Sequence, residues 1–414
     1  MVGKDLIMAT LFGSGGGSSG SGGGGSAGVS PKEVNFYDYD GTCVHAYTVA
    51  EAQALSELPA GPEHPGLVFQ GWNWSLEGVK GLTRAMNIGA MYTTDDGTTR
   101  LYITLQEGRT SPMLGVGVNG TVTVDWGDGT EPDVLTGTNV SATVWTPNHT
   151  YDKPGDYVIR LTVEGEIGFT GSSTSNANAS VLRYASGADK RNQCYQSTLK
   201  KIEMGNGVVH IGSYSFTNCY SLAVMAIPES VTSIYSYAFN NCYSLLFVTI
   251  PKNVTNIGNN TFYMCYSLLQ VALPINMQKL SDCSFQYCYA LAVMTIPPGA
   301  VIGASTFYGC YGLSQVVLPG RVESYGISAF ANCYSLASVN IPPELSKIVG
   351  NLFYNCHGAA YYDFTQHTTV PTLADTSAFK SIPADCEIRV PAALYDEWIA
   401  ETNWATYADY IKAY

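Results

Sequence analysis

The chain of 414 residues has the length of about three domains at roughly 100–150 residues each, and only 13% of it is charged against a usual ~25%. With 33 acidic against 20 basic residues the net charge is -13, which repels a nucleic-acid backbone and excludes DNA and RNA as partners. The longest apolar stretch near the start, Leu6 to Phe12, is too short to span a bilayer and has no cleavage pattern after it, so neither membrane insertion nor export by the general route is expected.

Residues 1–12 read as an attachment peptide. Residues 13–28 are Gly and Ser with one Ala, a composition that buries no core, so 13–30 is expected to be a flexible tether; a cloning linker would look the same. In the first module, 31–92, alternating Val34, Phe36, Tyr37 and Tyr39, the turn Asp40-Gly41 and a partner strand Val44 to Val49 predict a hairpin. Ala50 to Leu58 has helical spacing, and residues 66–72 read as a returning strand. The segment from Phe36 to Thr42 (FYDYDGT), Pro59, Pro62 and the Phe69–Trp72 stretch (FQGW) resemble the internalin B-repeat; the resemblance implies a small β-grasp-like module.

Residues 93–180 read as strands at Leu101–Leu105, Thr121–Trp126, Ala142–Trp145 and Tyr157–Val163, separated by Gly, Asn, Asp and Pro turns, which predicts a β-sandwich. Val124 to Thr130 (VDWGDGT) and the corner from His149 to Tyr157 resemble the PKD domain, which implies an immunoglobulin-like spacer or binding module.

From about 194 to 364 the sequence repeats. Cys219, Cys242, Cys265, Cys288, Cys310, Cys333 and Cys356 are spaced 23, 23, 23, 22, 23 and 23. Phe216, Phe239, Phe262, Phe285, Phe307, Phe330 and Phe353 precede them by three residues, and columns of Leu and Pro keep the same step. Such a period is the signature of a solenoid whose turns bury their faces only against each other, so the chain is expected to be mainly β, with the solenoid at 181–364. The consensus, as in Ile234 to Pro251, resembles the BspA-like leucine-rich repeat. A Cys once per turn reads as a buried thiol column; pairing within one core layer or zinc ligation from a straight line does not fit.

Each Cys is followed by Tyr220, Tyr243, Tyr266, Tyr289, Tyr311 and Tyr334, with His357 ending the series. This predicts an aromatic ladder along one edge, which can stabilise neighbouring turns, bind a partner, or both. The outward strand residues Val224, Phe247, Gln270, Val293, Gln315 and Ser338 form a second, uncharged stripe, and together the two make the expected binding face for a neutral glycan or protein. Residues 365–414, with Leu394, Trp398, Ile399, Trp404, Tyr407 and Ile411 at helical spacing, are expected to cap the last turn; they resemble the closing segment of BspA-like proteins.

Asp38 to Thr42 also matches the DxDGT motif of haloacid dehalogenase phosphatases, but those need a doubly wound α/β domain, and we read the two aspartates as turn formers. Asp125 and Asp128 lack a calcium-loop spacing, and the six histidines, at 45, 64, 149, 210, 357 and 367, show no metal or triad pattern. No enzyme, cofactor or metal site is expected. The combination of modules resembles tail-associated proteins of phages infecting gut bacteria. It implies a virion adhesin, in a tail fibre or baseplate, attached to other tail proteins through its N-terminal segment and recognising a host cell-surface glycan or protein. A bacterial cell-surface adhesin of BspA type is the alternative. A homo-oligomer is compatible with a tail fibre, although no coiled-coil heptads support one.

Overall fold

A computed structural model of the chain describes residues 29–171, 180–184, 198–320 and 325–414. The expected attachment peptide and nearly all of the tether lie outside the described residues.

The first module is a mixed four-stranded sheet in the order β2-β1-β4-β3, built from β1 (Val34–Tyr37), β2 (Cys43–Tyr47), β3 (Leu67–Trp72) and β4 (Met86–Thr94). The hairpin β1-β2 is antiparallel, while β1 and β4 run parallel. Helix α1 (Val49–Gln53) starts in a reciprocal cap: the Thr48 hydroxyl accepts from the Glu51 amide, and the Glu51 carboxylate accepts from the Thr48 amide. It stops well short of the expected Leu58. A second short helix, α2 (Leu76–Lys80), was not foreseen. Phe36, Trp72 and Tyr92 make the core. The Asp40 carboxylate accepts from the Thr42 amide, closing the turn, and Asp38 is buried against His64 at 2.7 Å.

The second module departs from the expected sandwich. Strands β5 (Thr99–Leu105), β6 (Pro112–Asp125), β7 (Asp133–Trp145) and β8 (Gly155–Phe169) form one antiparallel sheet in the order β5-β8-β6-β7. Its strands continue into the solenoid. β10 (Leu199–Glu203) pairs with β5, β11 (Val208–Ile211) pairs with β8, and β9 (Leu182–Tyr184) pairs with the start of β6. The physical reason is that the first solenoid turn must bury its open end: Leu101, Val124 and Phe169 share one continuous core with Phe216 and the rest of the array. In the corner, the Asp125 and Asp128 carboxylates accept from the amides of Gly127 and Thr130, and His149 stacks on Trp126 at 4.5 Å while bonding Asp128 at 2.8 Å.

The solenoid consists of two rows of short parallel strands. One row starts at β10 and β12 (Val224–Ala226) and runs through Phe247–Thr249, Gln270–Ala272, Val293–Thr295, Gln315–Val317, Ser338–Asn340, Tyr361–Asp363 and Glu387–Val390. The other starts at β11 and passes through Ser233–Ile234, Asn256–Ile257, Lys279–Leu280 and Val301–Ile302. The Phe column is a continuous stack with centroids 5.3–5.7 Å apart. It extends to Phe169 in the second module and to Phe379 and Trp404 at the other end. The array therefore runs past the expected limit at 364: one more turn, entered by the 26-residue step from Phe353 to Phe379, lacks the Cys-Tyr signature.

Only part of the expected helical cap is helix. α3 (Tyr395–Ala400) buries Trp398, a 3-10 turn at Trp404–Tyr407 buries Trp404, and Ile411–Ala413 is a strand that pairs in parallel with Glu387–Val390. The Trp404 indole donates to the Pro371 carbonyl and the Asn403 amide to that of Leu373, so the segment closes the last turn by satisfying its free carbonyls.

Candidate binding surface

Each of the seven turns from Phe216 to Phe353 has two residues in the left-handed region, four apart and flanking Phe: Tyr214 and Asn218, Tyr237 and Asn241, Asn260 and Met264, Cys283 and Tyr287, Ser328 and Asn332, Asn351 and Asn355, with Ser305 and Gly309 in the fifth; the Phe379 turn has Ser381 alone. The second of each pair reverses the chain direction so that the following Cys points into the core and the Tyr after it points out.

The thiols are not merely small apolar fillers. From Cys242 to Cys356 each donates to the carbonyl of the Phe one turn back, at 3.1–3.3 Å. From Phe216 to Phe307 that carbonyl also accepts from the Cys amide three residues on, so the thiol is its second donor and ties one turn to the next. Burial pushes these thiols up, Cys356 to about 12, so the column stays protonated at neutral pH. All ten described cysteines are free.

The six tyrosines of the ladder come together as expected. Successive centroids are 4.7–4.8 Å apart with planes 3–17° from parallel, the spacing of adjacent parallel strands. Tyr220, Tyr311 and Tyr334 are 36–37% exposed, and Tyr243, Tyr266 and Tyr289 are half-buried. His357 continues the row tilted by 31°. Each interior ring has both faces covered by its neighbours, so the ladder offers solvent a comb of ring edges and phenol hydroxyls. Burial, then the adjacent rings, raises the Tyr289 phenol to about 12, which keeps it a donor at neutral pH.

The second expected stripe is covered at Phe247 and stays partly or fully accessible at its other five positions. Phe247 is 2% exposed: the Tyr37 ring lies 5.7 Å from it, and Gly41 sits against its Cβ. Gln270 is half-buried within hydrogen-bond reach of the Tyr37 phenol. Val224, Val293 and Ser338 are half-buried, and Gln315 is exposed. The cause is the first module, whose strand β4 lies on this face. A Cβ at Gly89 would run into Thr249 and Ala272. The Asn73 amide donates to the carbonyls of Ile250 and Ala272, the Trp74 indole to Leu273, and Arg84 to Ile296 and Leu318. Four of these five carbonyls belong to the residue before the Pro column, where the next residue has no amide to continue the ladder. The corner where all three parts meet is held by Glu203, 3% exposed, which accepts from Lys201 at 2.6 Å and Tyr102 at 2.7 Å and pairs with Arg100 at 3.5 Å.

Sequence reasoning missed this occlusion. The available signal was Phe247 itself, the one large aromatic in an outward column of Val, Gln and Ser. It also missed a second aromatic group beside the ladder. Tyr287 lies 5.7 Å from Tyr263, 5.6 Å from Tyr308 and 6.1 Å from Tyr289, with planes crossed at 74°, 87° and 69°. Among the described residues no group of three His, Cys, Asp or Glu could hold a metal ion, and no helix is long and apolar enough to cross a membrane.

The repeat geometry is that of a leucine-rich-repeat solenoid. The BspA type leucine rich repeat region matches residues 190–301 and 300–394, in six copies, and this part of the chain belongs to that family. Solved structures similar to it include a T. pallidum leucine rich repeat protein (24% identity, 49% of this chain and 87% of that one, TM-score 0.35). A leucine rich cell surface protein from Faecalibacterium prausnitzii matches at 22% identity over 51% and 73%, with TM-score 0.23. A leucine-rich repeat protein from Bacteroides ovatus matches at 19% over 61% and 99%, with TM-score 0.22. No curated protein matches the chain.

Proposed function

We propose that the chain is a non-enzymatic adhesin that binds a neutral cell-surface partner through the tyrosine edge of its solenoid. The observation that carries this reading is the six-ring ladder: a partly exposed aromatic row, rich in hydroxyls, on a long rigid array. Tyr supplies contact area and a polar tip with little rotamer entropy to lose on binding. The first module interrupts the strand face at Phe247, which leaves the tyrosine edge as the surface whose repeat is uninterrupted. In the finer form of the proposal this adhesin is carried on a phage tail fibre or baseplate, with residues 1–12 attaching it to other tail proteins and the solenoid facing the host.

The test is binding of the purified, labelled chain to gut bacterial cells. Wild type is expected to bind, and a variant with Tyr243, Tyr266 and Tyr289 all replaced by Ser to lose binding while keeping its circular dichroism spectrum. Unchanged binding by the triple variant would leave the ladder a structural device only. Immunogold microscopy on an induced culture of the source strain, with an antibody to residues 198–320, separates the carriers: gold on tails supports the virion, and gold on the envelope of uninduced cells the surface adhesin.

A further inference from the structure

Within a repeat array, a residue that breaks its column where the fold does not require it is a local signal. At the left-handed corner before the Cys column, four of the seven turns place Asn, the side chain that tolerates this conformation best after Gly. Tyr287 holds the same corner at φ 62°, although a β-carbon with a bulky ring is disfavoured there. In the next turn the corner is Gly309, and a Cβ at that position would lie 2.6 Å from the Tyr287 ring. The glycine is what lets the ring lie across the neighbouring turn. Tyr263 and Tyr308 stand on either side of it in a mixed column that holds Thr217, Asn240, Gln286, Ala331 and Tyr354 in other turns, so Tyr287 is the residue that departs from its column and the two flanking rings are what it meets.

We infer that Tyr263, Tyr287 and Tyr308, seated over Gly309 and against Tyr289 of the ladder, form a saccharide-binding site for a neutral glycan. This rests on the adhesin reading and locates its contact. Three features select the ligand class. The three rings are crossed, so each pair covers at most one ring face, and at least three of their six faces are not covered by one another. All three are half-buried, as the interior ladder rings are, so it is the crossed geometry that sets them apart. In the ladder, by contrast, interior ring faces are paired off. A pyranose has an apolar C–H face suited to an open aromatic face and a hydroxyl rim suited to phenols. Charge is nearly absent: from Asn253 to Gly320 the charged side chains are Lys279 and Asp282 alone, which disfavours an ionic ligand.

The experiment is calorimetric titration of the full chain with cellohexaose, maltohexaose and chitohexaose. Wild type is expected to bind at least one. Tyr287→Asn, which installs the residue native to this corner elsewhere in the array, is expected to weaken binding at least tenfold with the fold intact. Gly309→Asn should do the same by displacing the ring while every tyrosine remains. Tyr235→Ser, at an exposed tyrosine outside the ladder whose ring lies beside His210, should stay within twofold of wild type. Failure of all three sugars to bind, or a Tyr287→Asn variant within twofold of wild type, overturns the inference. Cell binding that is lost in the triple ladder variant but is not competed by these sugars, and is abolished by protease treatment of the cells, also overturns it by pointing to a protein partner; the adhesin reading then stands. Sugar binding without cell binding has the reverse meaning.

Discussion

The strand face and the tyrosine edge are generated by the same repeat, one column each per turn, yet they have opposite fates. On the strand face the column varies, and where it offers Phe247, Thr249 and Ala272 the chain has folded its own first module down onto them. On the tyrosine edge the column is uniform, and the rings satisfy each other along the array. A column in a solenoid can therefore be covered by a neighbour from outside or by its own copies from above and below, and only the second leaves a periodic surface open. The comparison also changes what the N-terminal modules are: parts of one packed body with the array, hydrogen-bonded to it at five backbone carbonyls, and not separate spacers.

Breaking the covered side should have the largest effect. Asn73→Ala removes the donor to Ile250 and Ala272 and the acceptor for the Gly89 amide. The Ala272 carbonyl keeps the Ile250 amide, whereas the Ile250 carbonyl and the Gly89 amide lose the Asn73 side chain; at about 1–3 kcal/mol for each buried group left unmatched, a loss of about 3 kcal/mol in urea denaturation is expected, with increased binding of a hydrophobic dye as Phe247 is uncovered. Cell binding should not change, because the tyrosine edge is untouched. A variant as stable as wild type would show that the first module is held by other contacts.

The thiol column lies beneath the open edge, and its role is tested by Cys265→Ala. The substitution deletes one of two donors to the Phe239 carbonyl, the Cys242 amide remaining, and leaves a small void, an expected loss of about 1 kcal/mol. Cys265→Ser keeps a donor and should lose less. If Ser is the worse of the two, the thiol acts by its apolar volume and the hydrogen bond is incidental.

The open edge itself should respond to alkali. The Tyr289 phenol is raised to about 12, first by burial and then by Tyr311 and Tyr266, whereas an unfolded chain titrates near ~10. A raised acid holds its proton longer in the folded state, so its contribution is complete below ~10 and is lost as pH rises towards 12. Melting temperature followed from pH 9 to 12, alongside absorbance of tyrosinate, should fall across that window, and less steeply in Tyr289→Phe. Equal slopes would place the alkaline sensitivity elsewhere.

Much of this was legible in the sequence because periodicity is a local signal. The spacing of Cys, Phe, Leu and Pro dictates turns that superpose, and superposed turns dictate the ladder. The occlusion of Phe247 was not legible, since it depends on how Tyr37 and Gly41, some 200 residues upstream, pack, and no spacing encodes that. The second module misled for a related reason: its WGDGT turn and His149 corner form locally as read, but whether its sheet faces another sheet or feeds β10 and β11 is decided by the solenoid's need to bury its first turn. The cap misled through Ile411, whose position suits a helix face and equally the inward side of a last strand.

The smallest expected effect concerns the corner that produces the edge. If the left-handed residue before Cys is what turns Tyr outward, then relieving strain at that residue should stabilise the array without moving the ladder. Met264 occupies it at φ 59°, between Tyr263 and Tyr266. Met264→Asn places there the residue found at Asn218, Asn241, Asn332 and Asn355, and those pairs show what it can gain: Asn241 donates to Asn218 at 2.6 Å and Asn355 to Asn332 at 2.7 Å. A new amide at 264 would stand one turn beyond Asn241 and extend that row. A gain of about 0.5–1 kcal/mol is expected from the backbone preference, read as a shift of the urea midpoint at constant slope. A loss would mean that the Met side chain is packed into the aromatic surface, making that surface a built site at Met264 as well as at Tyr287.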